Sequence, residues 1–508
     1  MDSKNVKLLF TNTVTYIQGK LDKETYAALK KEIGYTPQSS AYMVENWVAN
    51  NPDAHYEWDG TISTVCYNRT NCRCHVKREG THFPSGLLGK VRSLFENRGI
   101  EYAIEDRRKP IQKTLNYKMS DEYEIRDYQE DIVKKACAKN KGRGIIRCAT
   151  GGGKTSICSH IIAELGVSPF IFYVPSVDLM EQARSEISKF VRLHNVPVEV
   201  GRIGDGICDI KDINVMTIQT AVRALGEKYV KFDEEDDTEN EDNQERYKDI
   251  KDLIISSKGM IADECQFWAA ETAQIISDYS ISCRYKFGCS ATPFRDLDDD
   301  ILIEACFGKI FADISASYLI KRGFLIKPQI LLVPITNTRG SGLRSYPKIY
   351  KASITDNPVR NQIICDLSTN FESKGRVILI LCKHVSHGKM LEKMIPGSLF
   401  LHGGSSSKKR KAHLDKMRGR EASITIASTI FDQGIDVRVL DTLILAGSGK
   451  SKVRALQRIG RILRPYPGKT DAIAVDFMDN AKYVLSHSKE REKIYRTEEE
   501  FDIQRLFL

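Results

Sequence analysis

No apolar run in this 508-residue sequence comes near the ~20 residues of a membrane-spanning helix; stretches such as Val377–Cys382 are a fraction of that length. The opening Met1-Asp2-Ser3-Lys4 lacks the basic-then-apolar order of a secretory signal. A cytoplasmic address without a membrane partner is therefore expected. Thirteen cysteines are scattered without regular spacing, which argues against a disulfide-stapled scaffold and suits reduced thiols in a cytosol-like compartment. Short-period repeats and collagen-like tracts are missing, and no heptad is sustained, so a monomer is expected.

What is present is a soluble globular composition, 41% hydrophobic and 28% charged, with room for several domains. The formal charge is +9, yet Asp233–Glu245 holds nine acidic residues and no basic one. The rest of the chain is thus twice as basic as the total suggests. Such an excess suits either a polyanion partner or ordinary solvation, and composition does not separate the two. The cluster Cys66, Cys72, Cys74 and His75 reads as a metal site or as loop thiols. Its spacing fits no common zinc pattern, which favours thiols.

Residues 1–115 read as a small α+β domain. Tyr26, Leu29 and Ile33 recur at helical spacing, as do Leu87, Leu88, Val91, Leu94 and Phe95 between Pro84-Ser85 and a capping Gly99. Trp58-Asp59-Gly60 and the stretch after it suggest a hairpin with a long loop. From Tyr123 the pattern changes to short apolar strands alternating with amphipathic helices, which predicts a parallel sheet covered on both faces. Strands are expected at Gly144–Arg147, Phe170–Val174, Val215–Ile218 and Met260–Ala262. A second series follows at Val377–Leu381, Leu399–Leu401, Ile424–Ala427, Thr442–Ala446 and Ala472–Asp476. The division is residues 116–325 and 326–480, with a helical tail at 481–508, and the acidic run 233–245 reads as a disordered loop within the first unit.

Cys148-Ala149-Thr150-Gly151-Gly152-Gly153-Lys154-Thr155 follows a strand and runs into a helix. That context is what a phosphate-binding loop requires: glycines let successive N–H groups face phosphate, and the helix start adds partial positive charge. Lys154 is expected on the β- and γ-phosphates of ATP and the Thr155 hydroxyl on Mg²⁺. Position 148 departs from the strict pattern, which has glycine there. Asp263 and Glu264 end a strand about a hundred residues on, placed for the Mg²⁺-holding acid and the carboxylate that orients or deprotonates water. An acidic pair after a strand is weak evidence alone and gains weight from the loop before it.

The ordered set of motifs resembles a superfamily 2 helicase. Arg126-Asp127-Tyr128-Gln129 resembles the adenine-recognising segment, and Gln129 is implied to bond the base. Tyr173-Val174-Pro175-Ser176 and Thr217-Ile218-Gln219-Thr220 resemble motifs that touch a nucleic-acid backbone; Pro175, Ser176, Gln219 and Thr220 are the candidates. Asp263-Glu264-Cys265-Gln266 resembles the acidic box, with Gln266 where many relatives have histidine. Ser290-Ala291-Thr292-Pro293 resembles the motif coupling the two ligand sites. In the second unit, Ser428–Asp436 resembles the motif linking both ligands, which implicates Thr429, Gly434 and Asp436. Gln457–Arg464 resembles the arginine-finger motif, and Arg461 and Arg464, three apart, are expected on one helix face.

The resemblance implies two tandem RecA-like domains behind an N-terminal DNA-binding domain. Trp58-Asp59-Gly60, Tyr67-Asn68-Arg69 and Phe83-Pro84-Ser85-Gly86-Leu87 resemble a branch of phage helicases, as does Lys383–Lys389. That branch implies DNA remodelling linked to recombination and repair. Lys383 and His384 are read as loop residues contacting DNA, and His384 with His387 as no metal pair. The cluster Lys408, Lys409, Arg410, Lys411, Lys416, Arg418 and Arg420 suits phosphate contacts or a plain exposed basic helix. RNA as the track and a nucleic-acid scaffold with a decayed motor remain alternatives; the intact Lys154, Asp263, Glu264, Arg461 and Arg464 oppose the second.

Overall fold

The computed structural model describes residues 6–37, 40, 43–45, 47, 60–66, 75–76, 78–138, 142–226, 241–294, 299–336, 339–340, 342–428, 437–447, 449 and 452–508. They form two compact units, residues 1–148 with 153–313, and residues 314–508 with 149–152. The chain opens with two strands, Val6–Phe10 and Val14–Gln18, paired antiparallel. Neither was expected from the sequence. His82–Pro84 and Tyr102–Asp106 flank them in a four-stranded sheet. Helices Lys23–Glu32 and Leu88–Asn97 close its core, in which Leu8, Leu29, Phe83 and Phe95 are fully buried. Asp22 caps the first helix by accepting the Thr25 N–H at 2.7 Å. Trp58, Asp59, Tyr67–Arg69, Cys72 and Cys74 lie outside the described residues. After Gly60, Ile62–Ser63 pairs with Gly34–Tyr35, and Cys66 bridges to His82.

These first 106 residues share a core with the first α/β domain rather than standing apart. Ala305 belongs to their hydrophobic cluster, and a Cβ on Gly86 would collide with the carbonyl oxygens of Glu304 and Ala305. Arg78 donates to Asp278 at 3.2 Å, and Arg143 to the Asn12 carbonyl at 2.7 Å.

The α/β domain has an eight-stranded sheet in the order Ile207–Asp209, Val200–Gly204, Ile213–Thr217, Phe170–Val174, Gly259–Asp263, Tyr285–Ser290, Arg143–Cys148, Ile310–Ile314. The pairs from Val200–Gly204 to Arg143–Cys148 are parallel. Phe170–Val174 and Ile213–Thr217 are buried at every residue, as a sheet covered on both faces demands. One expectation needs correction. The acidic run is not loop throughout, because the helix Glu241–Ser256 begins inside it. Acidic side chains favour a helix N-terminus, and buried Ile250, Leu253 and Ile254 anchor the rest. Residues 233–240 lie outside the described ones.

The second unit is built on seven parallel strands in the order Leu399–Leu401, Ile424–Ala427, Ile378–Leu381, Thr442–Leu445, Ala472–Asp479, Pro328–Ile335, Asp502–Arg505. Its tail therefore departs from the expected helix. Val484–Tyr495 is helical, but the chain then adds Asp502–Arg505 as an edge strand. Glu498 fastens this return by accepting from Ser317 N–H and Oγ at 2.8 and 2.7 Å. Two buried arginines brace the loop that follows Thr442–Leu445. Arg360 donates to Asp479 at 2.8 Å and to the Ala446 carbonyl at 2.6 Å. Arg491 grips both Asp476 oxygens at 2.8 Å and reaches the Gly449 carbonyl at 3.1 Å.

Candidate active site

The strand Arg143–Cys148 delivers the glycine loop to the helix Lys154–Leu165. Gly151 and Gly153 have φ of +88° and +79°, a region closed to most side chains. Cys148 does not share that need. It is the last strand residue and fully buried, so glycine is not required there. Cys289 lies close enough to act on its thiol and in turn sits 3.7 Å from the thiol of Cys158. Thr155 sits in the first turn of the helix, and Thr150 is half-buried in the loop.

Asp263 ends its strand and accepts the Glu264 N–H at 3.0 Å. Glu264 itself is left-handed, φ 49° and ψ 53°, a conformation that costs a residue with a Cβ about 1–2 kcal/mol. The Lys154 ammonium meets Glu264 Oε1 at 3.2 Å. The other Glu264 oxygen accepts from the Gln266 amide at 2.8 Å. Gln266 Oε1 accepts from the Ser290 hydroxyl at 2.6 Å, and Ser290 Oγ accepts the Thr292 N–H at 3.0 Å. Glutamine thus fills the place of the usual histidine by donating to the carboxylate with one end and accepting from Ser290 with the other. The neutral amide bridges two motifs without a titrating group.

Burial works against the Lys154 charge, but Glu264 and Asp263 outweigh it and hold the ammonium above its ordinary pKa. Burial also lifts the Asp263 carboxyl, against the pull of Lys154. Thr155 and Asp263 offer the oxygen donors that a hard cation such as Mg²⁺ takes. Among the described residues no three His, Cys, Asp or Glu gather as a metal cage.

Arg126 and Gln129 lie at the start of the helix Asp127–Cys137. Gln129 is buried, its Oε1 accepts the Arg126 N–H at 3.1 Å, and its amide nitrogen presses on Gly153, where a Cβ would collide. It braces the glycine loop as well as lying near it. Pro175, Ser176, Gln219 and Thr220 are half-buried past the C-terminal ends of two neighbouring strands. Ser176 and Thr217 cap the helices that follow, accepting from Leu179 and Thr220 N–H. The phosphate loop, the acidic pair, Ser290 and these four residues therefore share the carboxyl edge of one sheet, where such folds bind ligands.

In the second unit, Gln457 and Arg461 lie on the helix Lys452–Ile462. Arg464 does not: the helix stops at Ile462, so the expected shared face is replaced by a helical and a turn residue. Arg464 precedes Pro465, and a residue before proline is pushed out of helical geometry. Thr429, Gly434 and Asp436 lie outside the described residues. Lys383 and His384 are exposed just after Ile378–Leu381, but the stretch they open is the helix Val385–Met394 rather than a loop. His387 is buried in it, bonded to Asn361 at 2.9 Å. The basic cluster, Arg420 apart, lies on the helix Ser407–Arg418, seated by His413 and Met417 against Thr425. The buried braces Arg360 and Arg491 belong to no motif, and nothing in the sequence singles them out.

Two family descriptions match in tandem. Residues 122–295 match the res subunit of type III restriction enzymes, and residues 359–466 match the helicase conserved C-terminal domain. The ATP-dependent DNA helicase uvsW of Enterobacteria phage T4 is 26% identical over 463 residues, covering 85% of this chain and 84% of its own. The DNA 3'-5' translocase XPB2 of Sulfurisphaera tokodaii is 26% identical over 416 residues, covering 73% of this chain and 85% of its own. A fragment of a putative HsdR subunit of a type I restriction enzyme from Vibrio vulnificus shares the fold, with a TM-score of 0.54 at 16% identity over 93% of this chain and 83% of that one. With both helicase domains in order, the chain is a superfamily 2 helicase that resembles the phage T4 helicase UvsW.

Proposed function

We propose that this helicase is an ATP-driven DNA translocase that remodels branched or duplex DNA in recombination, repair or replication. The observation that carries the reading is the hydrogen-bonded chain Lys154–Glu264–Gln266–Ser290–Thr292, which joins the phosphate loop to the segment expected to relay nucleotide state. In this reading Thr150 and Gly151–Gly153 cradle the triphosphate of ATP, and Lys154 takes its terminal phosphates. Arg126 and Gln129 attend the adenine end. Thr155 and Asp263 would hold Mg²⁺, which supplies charge neutralisation at the phosphates when bound. Glu264 takes the proton of the attacking water. Gly434, Asp436, Gln457, Arg461 and Arg464 are the nucleotide-binding residues of the second domain in this reading, the two arginines stabilising charge that develops in the transition state. Pro175, Ser176, Gln219, Thr220, Lys383, His384 and Thr429 contact the DNA backbone, with residues 1–115 adding a DNA-binding surface. The named activities of the phage and archaeal relatives support DNA as the track.

The test is ATP hydrolysis with forked, four-way and blunt duplex DNA, and with matched RNA duplexes. DNA is expected to stimulate turnover, and Lys154→Ala to reduce it to background while the chain stays folded. Robust hydrolysis by Lys154→Ala would sink the site, and stimulation by RNA alone would sink the track.

A further inference from the structure

Outside the motifs, the second unit carries a knot of aromatic rings whose hub is Tyr346. Its ring lies 5.9 Å from Tyr350, 5.4 Å from His487 and 6.4 Å from Tyr483, and the Lys383 ammonium sits 5.5 Å from its centre. Tyr350 and its apolar neighbours are buried, so that part of the knot is a small core. Tyr483 is different: 43% of it is exposed. Its φ and ψ of 65° and −39°, with the Val484 N–H bonded to the Lys482 carbonyl at 2.8 Å, make a tight γ-turn centred on a tyrosine. A bulky residue at such a φ is strained, and glycine or asparagine is the usual occupant. A core accounts for only part of the choice, since 43% of the residue remains exposed.

Two lysines attend the knot. Lys482 lies 5.1 Å over the Tyr483 ring, and Lys383 lies 5.5 Å from the centre of Tyr346 and 5.0 Å from that of Tyr350. Asp479, just upstream, is buried and already bound to Arg360. Exposed aromatic side chains flanked by cations are one way proteins hold single-stranded nucleic acid: a base stacks on the ring, and the phosphates on either side meet the cations.

We propose that Tyr483 is a stacking platform for one unpaired base of a single-stranded nucleic acid, with Lys383 and Lys482 on its flanking phosphates. The proposal rests on the motor reading above and adds to it a preference for unpaired strand, as found at a fork. It is tested on the full chain with a single-stranded DNA carrying one aminopurine, whose fluorescence falls when it stacks, and with a blunt duplex as control. Tyr483→Phe is expected to keep affinity and quenching. Tyr483→Gly relieves the turn, so its melting temperature is expected to hold or rise, while single-strand affinity falls about ten-fold and quenching disappears. Duplex binding and duplex-stimulated hydrolysis are expected to stay. Wild-type affinity and quenching in Tyr483→Gly would overturn the proposal, as would equal losses on single strand and duplex. Duplex binding without any quenching in the wild type would remove this platform alone; binding of neither DNA would remove the motor reading with it.

Discussion

At the scale of single residues, His387 gives a prediction independent of the motor chemistry. Asn361 Nδ2 donates to the Thr355 carbonyl at 2.9 Å, so its Oδ1 accepts and His387 Nε2 must carry the proton. Burial first, then Arg360 and His384, push the imidazole from 6.5 down to about 3. The unfolded chain binds this proton at a higher pH than the folded one, so folding loses as pH falls. The contribution is fully present above pH 6.5 and drains between 6.5 and 3, at up to about 1.4 kcal/mol per pH unit. Denaturant titrations across that window should show a steeper loss for the wild type than for His387→Gln. Superimposable profiles would contradict a buried neutral imidazole. Lys154, Asp263 and Glu264 were legible because loop, lysine and acidic pair are each contiguous in sequence. The Gln266–Ser290 bond was not, since it joins residues on adjacent strand ends and no spacing rule specifies it. Arg464 was not legible: the spacing of the two arginines put it on the helix face of Arg461, outweighing Pro465, which disfavours helical geometry at the residue before it.

At the scale of elements, the helix Ser407–Arg418 is arranged against its own dipole. Lys408, Lys409, Arg410 and Lys411 crowd the N-terminal turns, where partial positive charge already sits, and no acidic residue relieves the first turn. Replacing Lys408 and Lys409 with glutamate should stabilise this helix, by about 0.3–1 kcal/mol for each site in thermal melts. The same double variant should bind DNA more weakly, with the salt slope of log K reduced by about 0.9 for each duplex phosphate it no longer neutralises. Unchanged salt dependence would assign the cluster to solvation alone, the other half of the choice left open by composition. Eight of the fifteen strands of the two large sheets were legible to within two residues, because each of those is a short run of β-branched and apolar residues. Val6–Phe10 and Val14–Gln18 were not: their turn is closed by Thr11, whose hydroxyl bonds the Val14 carbonyl at 2.6 Å, without glycine or proline to announce it.

At the scale of the whole molecule, the second unit is closed by the residues furthest from its first strand. Asp502–Arg505 shields the edge of Pro328–Ile335, with Glu498 and Ser317 fixing the approach. Deleting residues 502–508 would leave that edge open, a template for intermolecular pairing. A lower melting transition and concentration-dependent aggregation are expected, read by calorimetry and light scattering. An unaltered melt would show that the strand only decorates the sheet. The tail reads as helix throughout because its helical half has a charged, periodic pattern, whereas a four-residue edge strand with one apolar residue has hardly any pattern at all. Fold class survived such errors because it rests on alternation repeated many times, and single elements rest on a few residues each.

The Lys154–Glu264 pair also bears on how tightly nucleotide can be held. In the proposed reading the ammonium turns to a phosphate only by leaving the half-buried Glu264 carboxylate, so capture of the ligand and release of the base are one event. Affinity is then set partly by an interaction that has to be surrendered, and a substitution that loosens the pair would tighten nucleotide binding as it disarms hydrolysis.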